Sequence, residues 1–122
     1  MTKWAARKPL SFPKSRRLVR PSEFERVKRG GRAERGRLLV LSVLSNSDQF
    51  RAGFVTSRAI GGAVARNRLR RRLREIVRKH QHRIGGDNWI VTIARVHAAS
   101  ATFQQLEGEW LRLAQRASIL AA

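Results

Sequence analysis

Cysteine is absent from this chain of 122 residues. That excludes a disulfide framework, a thiolate metal site and a thiol nucleophile, and it is compatible with a reducing cytoplasm. Acidic residues are scarce: 8 Asp and Glu stand against 27 Lys and Arg, for a formal net charge of +19. No apolar run approaches the ~20 residues that a membrane-spanning helix needs. No secretory hydrophobic region follows the N-terminus.

The shortage of carboxylates thins the catalytic inventory. Asp48 and Asp87 lie in expected turns, and Glu75 is fenced by arginines. His80 and His82 stand near a helix end, and His97 is far from both. There is no H-x-x-x-H, and no carboxylate pair stands at metal-ligand spacing. Gly61-Gly62 and Gly85-Gly86 are not followed by the Lys-Ser/Thr of a phosphate loop. Catalysis by the protein's own side chains is not expected, nor is a metal held by protein ligands alone.

What is present is unevenly placed. Residues 1–84 hold 24 basic and 5 acidic side chains and so carry the whole +19, whereas residues 85–122 hold 3 of each. One side is therefore built for a polyanion and the other end for scaffolding. Nucleic acid is the better reading of that polyanion than an anionic membrane.

The charge concentrates in the stretch from Gly61 to His80, GGAVARNRLRRRLREIVRKH. Leu69, Leu73, Ile76 and Val77 fall at helical spacing and make one apolar stripe. Arg66, Arg70 and Arg74 form a ridge beside it, with Asn67, Arg71 and Arg78 further out and Arg68, Arg72 and Lys79 beyond. Within this helix only Glu75 offers a counter-charge at i+4, to Arg71 and Lys79. Arg66 and Arg68 fall where the helix dipole disfavours cations by about 0.3–1 kcal/mol each. A sequence tuned only for stability would have put acids there. A docked polyanion explains the choice, and an exposed helix without one normally mixes its signs.

The rest of the chain reads in order. Residues 1–17, with Pro9 and Pro13 and no periodicity, are expected to form a flexible basic arm ahead of a single domain over 18–122. A transit peptide shares that composition. Trp4 and Phe12 in the arm could stack on bases. Ser22 to Arg29 reads as a short helix, opened by a Ser22/Glu25 capping box and stopped by Gly30-Gly31. Phe24 and Val27 share one face of it, which by periodicity alone is a core face. Arg37 to Leu44 and Phe50 to Ser57 read as strands whose short link predicts an antiparallel hairpin. The arginine helix runs from about Ala63 to Gln81, and Asn88 to Arg95 is an internal strand. Ser100 or Thr102 caps a last helix, with Gln105 able to close a box from Thr102. Phe103, Leu106, Trp110, Leu113 and Ala117 form its core face. Gly108 in the middle costs about 1 kcal/mol relative to Ala. The order predicts an α+β sandwich.

The run from Ser57 to Arg74, SRAIGGAVARNRLRRRLR, resembles the signature helix of the bacterial ribonuclease P protein subunit. The triplet Arg66-Asn67-Arg68 matches that family's hallmark, and the spacing of Phe24, Val27 and Gly31 is similar too. Ala59 departs from the pattern where the family usually has a second basic residue, and Lys28 stands where it often has a second aromatic. The resemblance spans roughly residues 18–115. It implies an α-β-β-β-α-β-α two-layer sandwich, an extra strand between Gly31 and Arg35, and an unusual left-handed βαβ crossover through the arginine-rich helix. Ordinary connection rules would give a right-handed one.

For function, the resemblance implies a catalytic RNA subunit as partner, with the active site and its Mg²⁺ held mainly by that RNA. Precursor tRNA is the second partner, its 5′ leader being removed endonucleolytically. Neither a membrane nor an obligate protein partner is expected, and the place of work is cytoplasmic. Arg66, Asn67, Arg68, Arg70, Arg71 and Arg74 fall on the family's RNA-binding positions. Phe24, Lys28 and Arg58 would line or flank the leader cleft, Phe24 stacking on single-stranded RNA. The competing readings are a basic ribosomal or RNA-chaperone protein with no processing role, and a DNA-binding module. The second would need a turn-linked support helix that the chain lacks.

Overall fold

The computed structural model describes residues 14–45, 49–85 and 87–120. Trp4, Phe12 and Asp48 lie outside them, as do residues 1–13 of the expected arm.

Two strands carry the most continuous apolar runs, and burial on both faces requires that they sit inside a sheet. They are β2 (Leu39–Ser45) and β4 (Asn88–Ala94), which pair antiparallel with each other. Beside them lie β1 (Arg32–Arg35), antiparallel to β2, and β3 (Arg51–Val55), parallel to β4. The sheet order is β1-β2-β4-β3. The strand between Gly31 and Arg35 is thus present, although its charged residues give no apolar pattern.

This order corrects the expected hairpin. β2 and β3 run in opposite directions but never touch as partners, because β4 lies between them. Residues 46–50 join strands about 10 Å apart, two inter-strand spacings. A link of that length is equally compatible with a hairpin. What decides is β4, which must be internal to bury Trp89, Ile90, Val91 and Thr92.

Successive residues on each strand alternate between two cores. Ile90 and Ala94, with Leu39, Leu41 and Val43, meet α2 (Ala63–His80) and α3 (Phe103–Arg116). Trp89 and Val91 face the other way, toward Leu18 and Val27 of α1 (Pro21–Gly30). The buried stripe of α2 is the expected one, Leu69, Leu73, Ile76 and Val77. Buried Trp110 of α3 donates its indole N–H to Thr92 Oγ1 at 3.1 Å, which satisfies both polar atoms at the centre of the core.

The helix ends show local chemistry. Thr102 and Gln105 close the expected box on α3, Gln105 N–H donating to Thr102 Oγ1 at 3.1 Å and Thr102 N–H to Gln105 Oε1 at 2.9 Å. α1 begins differently from expectation. Pro21 takes the first helical position, where a missing N–H is harmless. Glu23, not the Ser22/Glu25 pair, accepts the free N–H groups of Val19 and Arg20 at 3.0 and 3.1 Å. Among the described residues the one left-handed glycine is Gly61, at φ +147°, in the turn just before α2.

Residues 14–17 of the expected arm are seated on the domain. Lys14–Arg16 form a 3₁₀ turn, and Arg17 bridges to Ala52 on the outer edge of β3. Leu18 N–H then donates to Ala52 O at 2.9 Å. Arg16 reaches Gln81 Oε1 at 2.8 Å and so touches the far end of α2.

Candidate nucleic-acid interface

The apolar stripe fixes how α2 is turned, and the rest of its surface follows. Asn67, Arg68 and Arg71 are exposed, while Arg66, Arg70, Arg72 and Arg74 are half-buried beside the stripe. Arg70 is held from two sides. Its guanidinium donates to Thr56 Oγ1 at 2.8 Å and to Asn67 Oδ1 at 3.1 Å. Asn67 therefore orients an arginine. Arg66 lies back over Gly62 O, and Arg72 leans the other way toward Ala101 O at 3.4 Å.

Arg74 sits in the least comfortable position. Its Nε is buried and has no hydrogen-bond partner among the described residues. Burial pushes its guanidinium below the ordinary arginine value, and the charges of Arg17, Arg70 and Arg71 push the same way. A desolvated cation among cations is destabilising unless an anion joins it.

These arginines border a groove between α1, the edge of β3 and α2. Its cavity of about 180 Å³ is lined by Arg17, Leu18, Val19, Phe24, Ala52, Phe54, Arg70 and Arg74. Two aromatic rings and three guanidiniums thus meet in one trough. Phe24 lies directly on the backbone of β3: a Cβ on Gly53 would stand 2.6 Å from its Cε1 and Cζ. Glycine is needed there for that approach. The ring is half-buried, resting on the strand and lining the groove.

The sequence-chosen residues divide accordingly. Phe24, Arg70 and Arg74 line the groove, and Arg66, Asn67, Arg68 and Arg71 extend from it along α2. Lys28 lies one turn beyond Phe24 on α1, exposed and outside the lining. Arg58 is exposed in the turn Arg58–Ile60 and also outside it. Sequence reasoning missed Arg17 and Phe54. Arg17 reads as one more basic residue of an arm, and Phe54 as an ordinary strand residue, until pairing at the β3 edge brings both to the groove.

Glu23, Glu75 and Glu107 are committed to partners of their own. Glu75 binds Arg78 rather than Arg71 or Lys79, because a turn of i+3 puts the two side chains in direct contact. That contact first, with the charges of Arg78 and Lys79, holds Glu75 below the usual carboxylate range despite burial. Lys79 and His80 instead clasp Glu107 of α3 at 2.9 and 2.8 Å. Burial raises Glu107, but these two partners outweigh it and leave the carboxyl low. Glu23 is likewise raised by burial and lowered further by the Arg20 and Val19 N–H groups and by Arg51 at 3.1 Å. Among the described residues no three His, Cys, Asp or Glu converge as a metal site, and no helix is long and apolar enough to cross a membrane.

Known proteins resemble this chain in sequence and in fold. The profile of the family described as Ribonuclease P matches residues 12–118. The "Ribonuclease P protein component" of Acidothermus cellulolyticus is 46% identical over 109 residues, covering 86% of this chain and 90% of that protein. The protein of the same name from Halalkalibacterium halodurans is 37% identical over 109 residues, covering 88% and 92%. Among solved structures, the RNase P protein of Staphylococcus aureus superposes with a TM-score of 0.81 at 28% identity, covering 88% of this chain and 99% of that one. That of Thermotoga maritima gives 0.75 at 28% identity, covering 82% and 96%. By profile, by sequence identity along most of its length and by fold, the chain belongs to the ribonuclease P protein family.

Proposed function

We propose that this chain is the protein subunit of a ribonuclease P ribonucleoprotein, working in the cytoplasm on precursor tRNA while an RNA subunit performs the cleavage. The observation that carries the reading is the groove where Phe24 and Phe54 meet Arg17, Arg70 and Arg74. Aromatic faces beside guanidiniums suit unstacked bases joined by phosphates, and so a single-stranded leader. The outer arginines, Arg66, Arg68 and Arg71, then take phosphates of the catalytic RNA.

Each part has a physical task. The cationic surface lowers the repulsion between two polyanions. The groove fixes the leader, and thereby the phosphate at its junction with the mature tRNA. Asn67 and Thr56 keep Arg70 in one orientation before RNA arrives. Mg²⁺ bound by RNA phosphates supplies the activated water and charge stabilisation of phosphodiester hydrolysis. The protein carboxylates nearest α2 suit no such ion, since Glu75 and Glu107 already hold Arg78, Lys79 and His80.

Reconstitution tests the proposal. Purified protein, the matching RNA subunit and precursor tRNA are mixed at low Mg²⁺, with protein alone as control. The expected result is 5′ cleavage only when RNA subunit and protein are both present. Specific cleavage by RNA-free protein would overturn the assignment of catalysis to RNA, and no stimulation of the RNA subunit would overturn the role itself.

A further inference from the structure

A cavity larger than the groove lies elsewhere on the fold. It measures about 510 Å³ and lies between the start of β2, the turn Val96–Ser100 and the first half of α3. Its lining includes Arg37 and, from the part of the chain whose net charge is close to zero, His97, Gln104, Gly108, Glu109 and Arg112. Three observations set it apart from an ordinary surface hollow.

The first is Glu109, a buried carboxylate facing the cavity. Its Oε2 accepts the N–H groups of Leu38 and Leu39, both at 2.7 Å. Among the described residues its Oε1 has only Arg112, at 3.8 Å, too far for a hydrogen bond. A fixed acceptor is thus left with room beside it. The second is Gly108. Glycine inside a helix is unfavourable relative to alanine, yet packing does not require it here. A Cβ would meet nothing nearer than Arg112 Nη1 at 3.7 Å. What the missing side chain leaves is open cavity wall. The third is position. Ala101 lines this cavity and accepts from Arg72 of α2, so the hollow adjoins the flank of the arginine helix.

We propose that this cavity holds one unstacked nucleotide of single-stranded RNA, beyond the groove and across α2 from it. The inference rests on the RNA-binding reading above. Arg37 and Arg112 take the phosphate, and Gln104 meets the base edge. Glu109 Oε1 accepts from an exocyclic amino group, which adenine, cytosine and guanine carry and uracil lacks. The volume suits a ligand of that size.

The test is an amide-resolved NMR titration of the full chain with AMP, CMP, GMP, UMP and inorganic phosphate. Reporters are Gly36, Leu38 and Gly108 at the cavity, and Gly53 and Phe54 at the groove. At the cavity, the three amino-bearing nucleotides should bind about three- to tenfold tighter than UMP, the worth of one hydrogen bond. Phosphate should be weaker still. Gly108→Leu fills the wall without harming the helix, and Arg37→Ala removes a phosphate donor. Each should weaken binding at the cavity by a similar factor and leave the groove reporters unmoved. Phosphate binding as tightly as nucleotides would make this an anion site and overturn the proposal. So would equal binding of UMP, or indifference to both variants. Silence at the cavity with response at the groove removes this inference alone. Silence at both removes the RNA-binding reading with it.

Discussion

The contact between Phe24 and Gly53 allows the groove to be probed from both sides. Truncating a fully buried phenylalanine removes about 3–5 kcal/mol. Phe24 is half-buried, so Phe24→Ala should lower the unfolding free energy by roughly half of that, about 2 kcal/mol. Its effect on RNA should be larger and selective. Stacking contributes about 1–3 kcal/mol per base, so precursor tRNA bound to the holoenzyme should weaken roughly ten- to a hundredfold. Mature tRNA should scarcely change, and a leader cut to one nucleotide should behave like mature tRNA. Gly53→Ala keeps the ring and displaces it. The added Cβ would stand 2.6 Å from two ring carbons, so the ring must retreat by about 1 Å to reach normal contact. A displaced ring still stacks, and the leader-dependent loss should be about three- to tenfold. Affinities of precursors with graded leaders, measured for both variants beside urea denaturation, decide the matter. Equal weakening of long-leader precursor and mature tRNA would return Phe24 to the core.

Other substitutions test separate links. Arg70→Ala removes one phosphate contact and should flatten the log–log salt dependence of RNA binding by about 0.7–0.9; an unchanged slope means Arg70 serves only its partners Thr56 and Asn67. Arg74→Met should raise the stability of the free protein by about 1 kcal/mol, since it deletes a desolvated cation, while weakening RNA binding. Loss of stability in urea would show that Arg74 is paired in the native fold. Gly36→Ala places a Cβ 2.4 Å from Glu109 Oε2 and should cost about 1–3 kcal/mol by displacing that carboxylate from Leu38 and Leu39; a neutral result refutes the lock. Glu23 and Glu107 are both held low when folded, so their stabilisation is complete above the unfolded value of about 4.3 and is lost as pH falls through the depressed folded values. Glu107→Gln should therefore make the acid limb of the stability–pH curve shallower below about pH 4.3, and an unaltered limb would discount the clasp on Lys79 and His80.

The parts legible in the sequence are those written locally. The apolar stripe of α2, the Thr102–Gln105 box and the glycine stop at Gly30-Gly31 all depend on residues within a turn or two of each other. The pairing of strands does not. Nothing between Ser45 and Phe50 says whether the chain turns back on itself or leaves room for a strand synthesised some forty residues later. The groove shares that limit. Phe24 and Arg70 stand out by motif, but Arg17 and Phe54 join them only because Arg17 pairs along β3. Glu109 is similar: as a helix glutamate it reads as surface, and only the approach of β2 makes it a buried acceptor.

The place of β4 also orders events in time. β3, which floors the groove, is held to the sheet through β4. β4 follows α2 in the chain, so during synthesis the arginine helix emerges before the strand that completes its support. A chain halted at residue 87 can pair β1 with β2 but offers β3 no strand to join it to that pair, only the short bridge from Arg17 to Ala52. For that interval the most cationic segment of the molecule is exposed without its groove, beside a ribosome that is itself largely RNA. The groove is complete only once the last strand lies between β2 and β3.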